Sequence, residues 1–155
     1  MKKAGPLTVK STNGTVTVLG TSFNVFSRDN EFKVACLTGE VRVTSLNQSV
    51  TIGPGESTLL EGDKLNKYQD DKIKYMTGWI NGEFYFENTP LNLVFNEIER
   101  QYNVKFVGPK RADEYFTGSF VNKDLKTALE IVCIPMGLEY EIKDNGKISV
   151  RKKTK

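Results

Sequence analysis

Glu139 and Glu141 stand two residues apart in Leu138-Glu139-Tyr140-Glu141-Ile142, where apolar and charged residues alternate, so a strand would carry both carboxylates on one face. A carboxylate pair is what glycosidase-like acid–base chemistry requires, but nothing singles this pair out. Charge alternating on an exposed strand face is ordinarily solvation. Glu97 and Glu99 cannot join in the same way, because residues two apart on a helix point in different directions. Trp79, Tyr75 and Tyr85 could form an aromatic platform for a sugar, although packing at a joint between domains is the simpler account of Trp79.

The missing chemistry is more informative. The 155 residues contain no histidine and two cysteines. A Ser-His-Asp or Cys-His nucleophile and a histidine-ligated metal are impossible within this chain. Two cysteines cannot by themselves close a structural zinc site. Cys36 shares strand parity with Phe32 and Val34, and Cys133 follows Val132 on the inner side of an expected helix, so both read as small buried hydrophobes. They could pair in an oxidising compartment, but they fall in different expected domains. No catalytic residue, metal site or cofactor is expected, and the reading leans towards a binding module.

Charge supports that reading. Lys and Arg number 22 against 19 Asp and Glu, a net charge of +3. Six of the basic residues are terminal: Lys2, Lys3, Arg151, Lys152, Lys153 and Lys155. Without them, 16 basic residues face 19 acidic ones, so the excess basicity sits at the termini, which argues against a phosphate-binding surface. No apolar run approaches the ~20 residues that span a bilayer. Met1-Lys2-Lys3 is basic, but Ala4 to Thr12 is too short and polar for a signal-peptide core. The sequence begins almost in mid-strand, which favours a piece of a longer chain.

The elements that position these residues follow two grammars. From Leu7 to about Leu60, Val16 and Val18 alternate with threonines, and Phe23 and Val25 follow. Phe32, Val34 and Cys36, then Val41 and Val43, then Val50 and Ile52, continue the period of two. Asn13-Gly14, Asp29-Asn30, Thr38-Gly39 and Gly53-Pro54-Gly55 punctuate the runs, which predicts an all-β unit, roll- or sandwich-like. Gly20 and Gly39 suggest bulges or tight bends. In Gly53-Pro54-Gly55-Glu56, Pro54 presets φ and Gly55 supplies a positive φ. From Glu61 to about Gly82 the composition turns polar and reads as a linker.

The second half repeats. Shifting the sequence by 34 superposes Phe86 on Phe120, Leu91 on Leu125, Val94 on Ala128, Phe95 on Leu129 and Ile98 on Val132. Tyr102 falls on Met136, Val104 on Leu138, Phe106 on Tyr140 and Asn88 on Asn122. Each unit carries one helix between two strands. The first has strand Phe84-Tyr85-Phe86, Thr89 as N-cap and Pro90 at the first helical position. Leu91, Val94, Phe95, Ile98 and Tyr102 then line one helix face, and Val104–Val107 is the next strand. The second has strand Tyr115–Phe120 and a helix from about Lys123, stopped at Pro135 with Gly137 at its exit. Strands Leu138–Ile142 and Ile148–Val150 follow around an Asn145-Gly146 hairpin turn. The expected product is a duplicated βαβ unit, one small sheet with both helices on one face and right-handed crossovers between parallel strands. The fold class is α+β: an all-β domain over residues 1–72, a linker over 73–82, and a duplicated βαβ domain over 83–155.

The run from Gly14 through Gly20-Thr21-Ser22-Phe23 to Val25 resembles a signature of the FecR family of anti-sigma regulators. Thr38-Gly39-Glu40-Val41 and Gly53-Pro54-Gly55-Glu56 stand at that family's spacing. Phe86-Glu87-Asn88-Thr89-Pro90-Leu91, Gln101-Tyr102-Asn103-Val104, Thr117-Gly118-Ser119-Phe120 and Gly137-Leu138 resemble the domain that follows in Bacteroidetes-type members. That domain is similar to the short signalling domain of secretins and TonB-dependent transducers. The resemblance implies a cytoplasmic segment that holds a sigma factor, a single inner-membrane anchor and a periplasmic region that receives the signal. This chain would be that periplasmic region, starting within the β domain. Its partner would be the signalling domain of an outer-membrane TonB-dependent transporter.

Two strands are candidates for the docking edge. A terminal strand of such a sheet exposes backbone groups that a partner strand can take up. The first candidate is Phe84-Tyr85-Phe86, with Phe84 and Phe86 given to the core and Tyr85 outward. The second is the final strand, Lys147 to Arg151, presenting Lys147, Ser149 and Arg151. The competing account is a periplasmic module that binds a glycan or siderophore through its aromatics.

Overall fold

The computed structural model describes residues 5–154, which divide into two compact units between Thr77 and Gly78. In the first unit, eight strands form two four-stranded antiparallel sheets. One takes the order β1 (Leu7–Lys10), β2 (Thr15–Val18), β5 (Val41–Ser45), β6 (Gln48–Ile52); the other takes β3 (Ser22–Arg28), β4 (Glu31–Thr38), β7 (Glu56–Glu61), β8 (Lys64–Gln69). The alternation explains the core. Val16, Val18, Val41, Val43 and Ile52 from one sheet pack with Phe32, Val34, Cys36 and Leu65 from the other in a single buried cluster, a sandwich-like arrangement. Asp29 and Asn30, at φ 54° and 63°, make the two-residue β3–β4 turn, because short polar side chains tolerate the left-handed region. Gly14 is needed for a different reason: a Cβ there would lie 2.7 Å from the Phe32 ring. The Gly53–Glu56 turn is closed by its own carboxylate, whose Oε2 accepts the Gly53 amide at 2.7 Å and pairs with Lys67 at 2.7 Å.

The polar stretch after Glu61 is not all linker. Lys64–Gln69 is the edge strand β8, paired with β7 from Glu61↔Lys64 to Glu56↔Gln69. An edge strand with one sheet face to solvent needs few inward side chains, and here only Leu65 is buried. Residues Ile73–Asn81 form a 3-10 helix.

In the second unit, β9 (Glu83–Pro90), α1 (Leu91–Tyr102), β10 (Lys105–Val107), β11 (Tyr115–Val121), α2 (Leu125–Cys133), β12 (Leu138–Ile142) and β13 (Lys147–Lys152) follow in order. The strand–helix–strand succession occurs twice, and the repeated apolar positions share one core. Leu91, Val94, Phe95 and Ile98 are buried with Ala128, Leu129 and Val132, while Phe86, Tyr102, Phe106, Leu125, Met136 and Tyr140 pack around them.

The sheet differs from the expected one. The strands flanking each helix do not pair with each other. β9 pairs antiparallel with β11 in a two-stranded ribbon, and β10, β13 and β12 form a second sheet in that order. The only parallel pair among the described residues is β10 with β13. Alternation reveals that a segment is a strand but carries no information about its partner, which is chosen by contacts distant in sequence.

The helix ends also show tertiary control. Thr89 does not cap α1: its hydroxyl donates to the Glu87 carbonyl, and the Leu91 amide donates instead to the Glu114 carbonyl at 2.7 Å. Asp124 caps α2, its Oδ1 accepting the Thr127 amide at 2.8 Å. α2 stops before Pro135, and Gly137 at φ 64° turns the chain into β12. Gly146, at φ 73°, closes the β12–β13 hairpin.

Candidate docking surfaces

The carboxylates singled out by spacing are tied into the fold. Glu97 is buried in α1, with Arg100 Nη2 at 2.7 Å from its Oε2 and Gln101 Nε2 at 2.7 Å from its Oε1. Glu99 accepts the Phe106 amide at 2.7 Å and Lys105 Nζ at 2.9 Å, so it fastens the α1–β10 connection. Glu139 and Glu141 do share a face of β12, where Arg151 Nε lies 3.2 Å from Glu139 and Ser149 Oγ lies 3.5 Å from Glu141. Glu139 is thus paired with a cation, while Glu141 faces a neutral hydroxyl and keeps its charge toward solvent.

Both cysteines are buried, and neither forms a disulfide. Burial pushes the Cys133 thiol up to about 11 and raises that of Cys36 as well. A thiol held protonated and out of solvent is a poor nucleophile. A thiol-specific reagent at pH 8 is therefore expected to label neither cysteine in the native chain and both after denaturation. Rapid labelling of the native protein would overturn their assignment to the core.

The first docking candidate, β9, pairs on one side with β11 as half of a two-stranded ribbon. Phe84 and Phe86 turn inward as expected. The Phe84 ring stacks on Phe120 at 5.3 Å, and Phe86 lies 5.7 Å from Phe120 and 6.1 Å from Phe116. Tyr85, on the opposite face, is 43% exposed. Its hydroxyl donates to Glu83 Oε2 at 2.7 Å, and its ring lies over the buried Gly78, where an added Cβ would come within 2.9 Å of it. The ring is thereby held in a defined orientation. On the β11 side of the ribbon Val121 is exposed opposite Glu83, and Trp79 and Ile80 are exposed on the preceding 3-10 helix. The sequence marked Trp79 as an aromatic of interest and overlooked Ile80 and Val121, whose apolar character alone suggests core.

The second candidate needs correction. β13 is the central strand of its sheet, not an edge: Lys147 and Ser149 stand opposite Lys105 and Val107 of β10. On the other side Ser149 and Arg151 pair with Glu141 and Glu139. The strand expected over Val104–Val107 is present as β10, but its parallel pairing with β13 rests on contacts distant in sequence that its local pattern does not encode. The edges of this sheet are β10 and β12, of which the five-residue β12 is the longer. A hollow of about 820 Å³ lies along β12 and β13, lined by Ile134, Glu139, Tyr140, Glu141, Ser149 and Arg151 among others. Its lining holds a single aromatic ring, Tyr140, so the Trp79, Tyr75 and Tyr85 set does not furnish this hollow with a sugar platform.

Exposed strand edges can take up a strand of another protein. The family descriptions supply the class. The model described as "FecR protein" matches residues 1–42, and the one described as "FecR, C-terminal" matches residues 83–150. The chain belongs with the FecR-like anti-sigma factors, a regulatory and non-enzymatic kind of protein. Two crystal structures of a proposed anti-sigma factor from Parabacteroides distasonis are similar to it, each 28% identical in sequence. The similarity covers 96% of this chain and 72% of each of those, with TM-scores of 0.78 and 0.79. No curated protein matches.

Proposed function

We propose that this chain is the periplasmic signal-receiving region of a transmembrane anti-sigma factor, and that it binds the signalling domain of an outer-membrane TonB-dependent transporter. Binding relays transporter occupancy to a cytoplasmic sigma factor, held by a segment outside this sequence and linked to it through a single inner-membrane helix. Among the described residues no helix is long and apolar enough to cross a membrane. The functional division is that of a β domain over 1–72, a connection over 73–82 and the receiving domain over 83–155.

The observation that carries the reading is Tyr85. It is half-exposed on an edge strand, oriented by Glu83 and Gly78, and backed by two phenylalanines in the core. An aromatic ring already ordered before binding loses little entropy when a partner covers it. A relay needs a modest, reversible interface, which an edge strand and one such anchor can provide.

Calorimetric titration with isolated signalling domains of transporters from the same genome tests it. Saturable binding to one of them is expected. Tyr85→Glu should weaken it at least tenfold, roughly 1.4 kcal/mol, because a second carboxylate beside Glu83 would have to be desolvated. Unchanged binding by this variant moves the interface off β9. Absence of binding to every such domain, with a folded chain, defeats the docking reading.

A further inference from the structure

The three-stranded sheet of the second unit has two edges, three-residue β10 and five-residue β12, and β12 offers the longer one. β13 stands between β10 and β12, so β12 has a strand on one side only. Among the described residues, Leu138–Ile142 make no backbone bond to any strand but β13. Alternate N–H and C=O groups of such an edge point outward and can pair with an added strand.

The side chains of β12 specify what that strand carries. Leu138, Tyr140 and Ile142 alternate with Glu139 and Glu141. The neighbour already in place shows the complement: β13 sets Ile148 opposite Ile142, Val150 opposite Tyr140 and Arg151 opposite Glu139. The same β12 side chains flank the open edge. A second copy pairing antiparallel through β12, centred on Tyr140, would place Glu139 opposite Glu141, and like charges directly opposite are destabilising. The hollow along β12 and β13 leaves room for incoming side chains, and Ile134, 67% exposed, lines it with Glu139 and Glu141 and supplies apolar contact there.

We propose that the outer edge of β12 accepts an extended segment of a partner protein in which apolar and basic residues alternate, adding a fourth strand to the sheet. This site is separate from β9, so it stands or falls independently of the Tyr85 interface.

The probe is a capped heptapeptide of alternating lysine and valine, titrated into the isotope-labelled full chain while its amide resonances are followed. Saturable shifts confined to β12, Ile134 and the adjoining hollow are expected, with glutamate–valine peptide binding at least tenfold more weakly. The double variant Glu139→Lys, Glu141→Lys should invert that preference; both positions are solvent-accessible, and the amide spectrum reports directly whether the fold persists. Equal binding of the two peptides, shifts centred on β9 or on the first unit, or no saturation up to millimolar peptide would each overturn the proposal.

Discussion

Phe120→Ala should lower the stability of the second unit by about 3–5 kcal/mol, the cost of deleting a fully buried aromatic that its neighbours cannot collapse around. Phe120 is 2% exposed and lies between the Phe84 and Phe86 rings at 5.3 and 5.7 Å. The substitution removes both ring contacts as well as the buried area. The effect reaches the exposed face. Tyr85 sits between Phe84 and Phe86 in β9, so loosening the rings beneath loosens the ribbon that presents it. Amide hydrogen exchange checks this: protection should fall in β9, β11 and α2 and persist in β4 and β7 of the other unit. Val121→Ala, one residue on and 43% exposed, should shift stability by well under 1 kcal/mol. If Phe120→Ala costs no more than Val121→Ala, the stacked rings do not hold the ribbon.

Asp70→Ala should cost the first unit a similar amount, about 3–5 kcal/mol, by stranding the groups around a buried carboxylate. Asp70 is 7% exposed, accepts the buried Ser57 hydroxyl at 2.8 Å and the Lys72 amide at 3.0 Å, and pairs with Lys33 Nζ at 2.9 Å. Lys33 also lies 5.5 Å from the centre of the Tyr68 ring. Burial opposes the charge on Asp70, but the hydrogen bonds from Lys33 and Ser57 outweigh it and hold the carboxyl below its ordinary value. A value lower in the folded than in the unfolded chain makes the contribution complete above the unfolded value of about 3.9. The contribution is then lost as pH falls through the lower, folded value. Urea midpoints measured from pH 7 down to pH 2 should therefore show a gap between wild type and Asp70→Ala that is widest at neutrality and narrows at the acid end. A constant gap across that range would show that the carboxylate's charge contributes nothing.

The two predictions concern residues of unequal legibility. Phe120 is readable from the repeat, because a 34-residue shift places it on Phe86; Phe120 lies in the core and Phe86 packs against it. Asp70 is not. It follows a polar stretch that reads as linker, and its partners Lys33 and Ser57 are 37 and 13 positions away, with nothing in their local pattern to join them. The docking strands divide in the same way. The inward Phe84 and Phe86 and the outward Tyr85 follow from alternation alone, as does the shared face of Glu139 and Glu141. The placing of Lys147 and Ser149 on an open edge fails because β10, three residues long, stands opposite them, whereas Arg151 lies beyond the β10 register and pairs with Glu139 of β12.

Most strands, both α-helices and their core positions were therefore determined by the sequence itself, since period, glycine placement and apolar spacing act over a few residues and leave a local trace; strand Lys64–Gln69 and the 3-10 helix Ile73–Asn81, poor in apolar residues or period, left none. That β9 joins β11, that β13 lies between β10 and β12, that Leu91 is capped by the Glu114 carbonyl and that Asp70 is neutralised by Lys33 were decided by the tertiary structure. Those choices depend on backbone groups and charges brought together across long sequence separations, where any strand with the right alternation offers the same hydrogen bonds and only the packing of the whole unit selects among them.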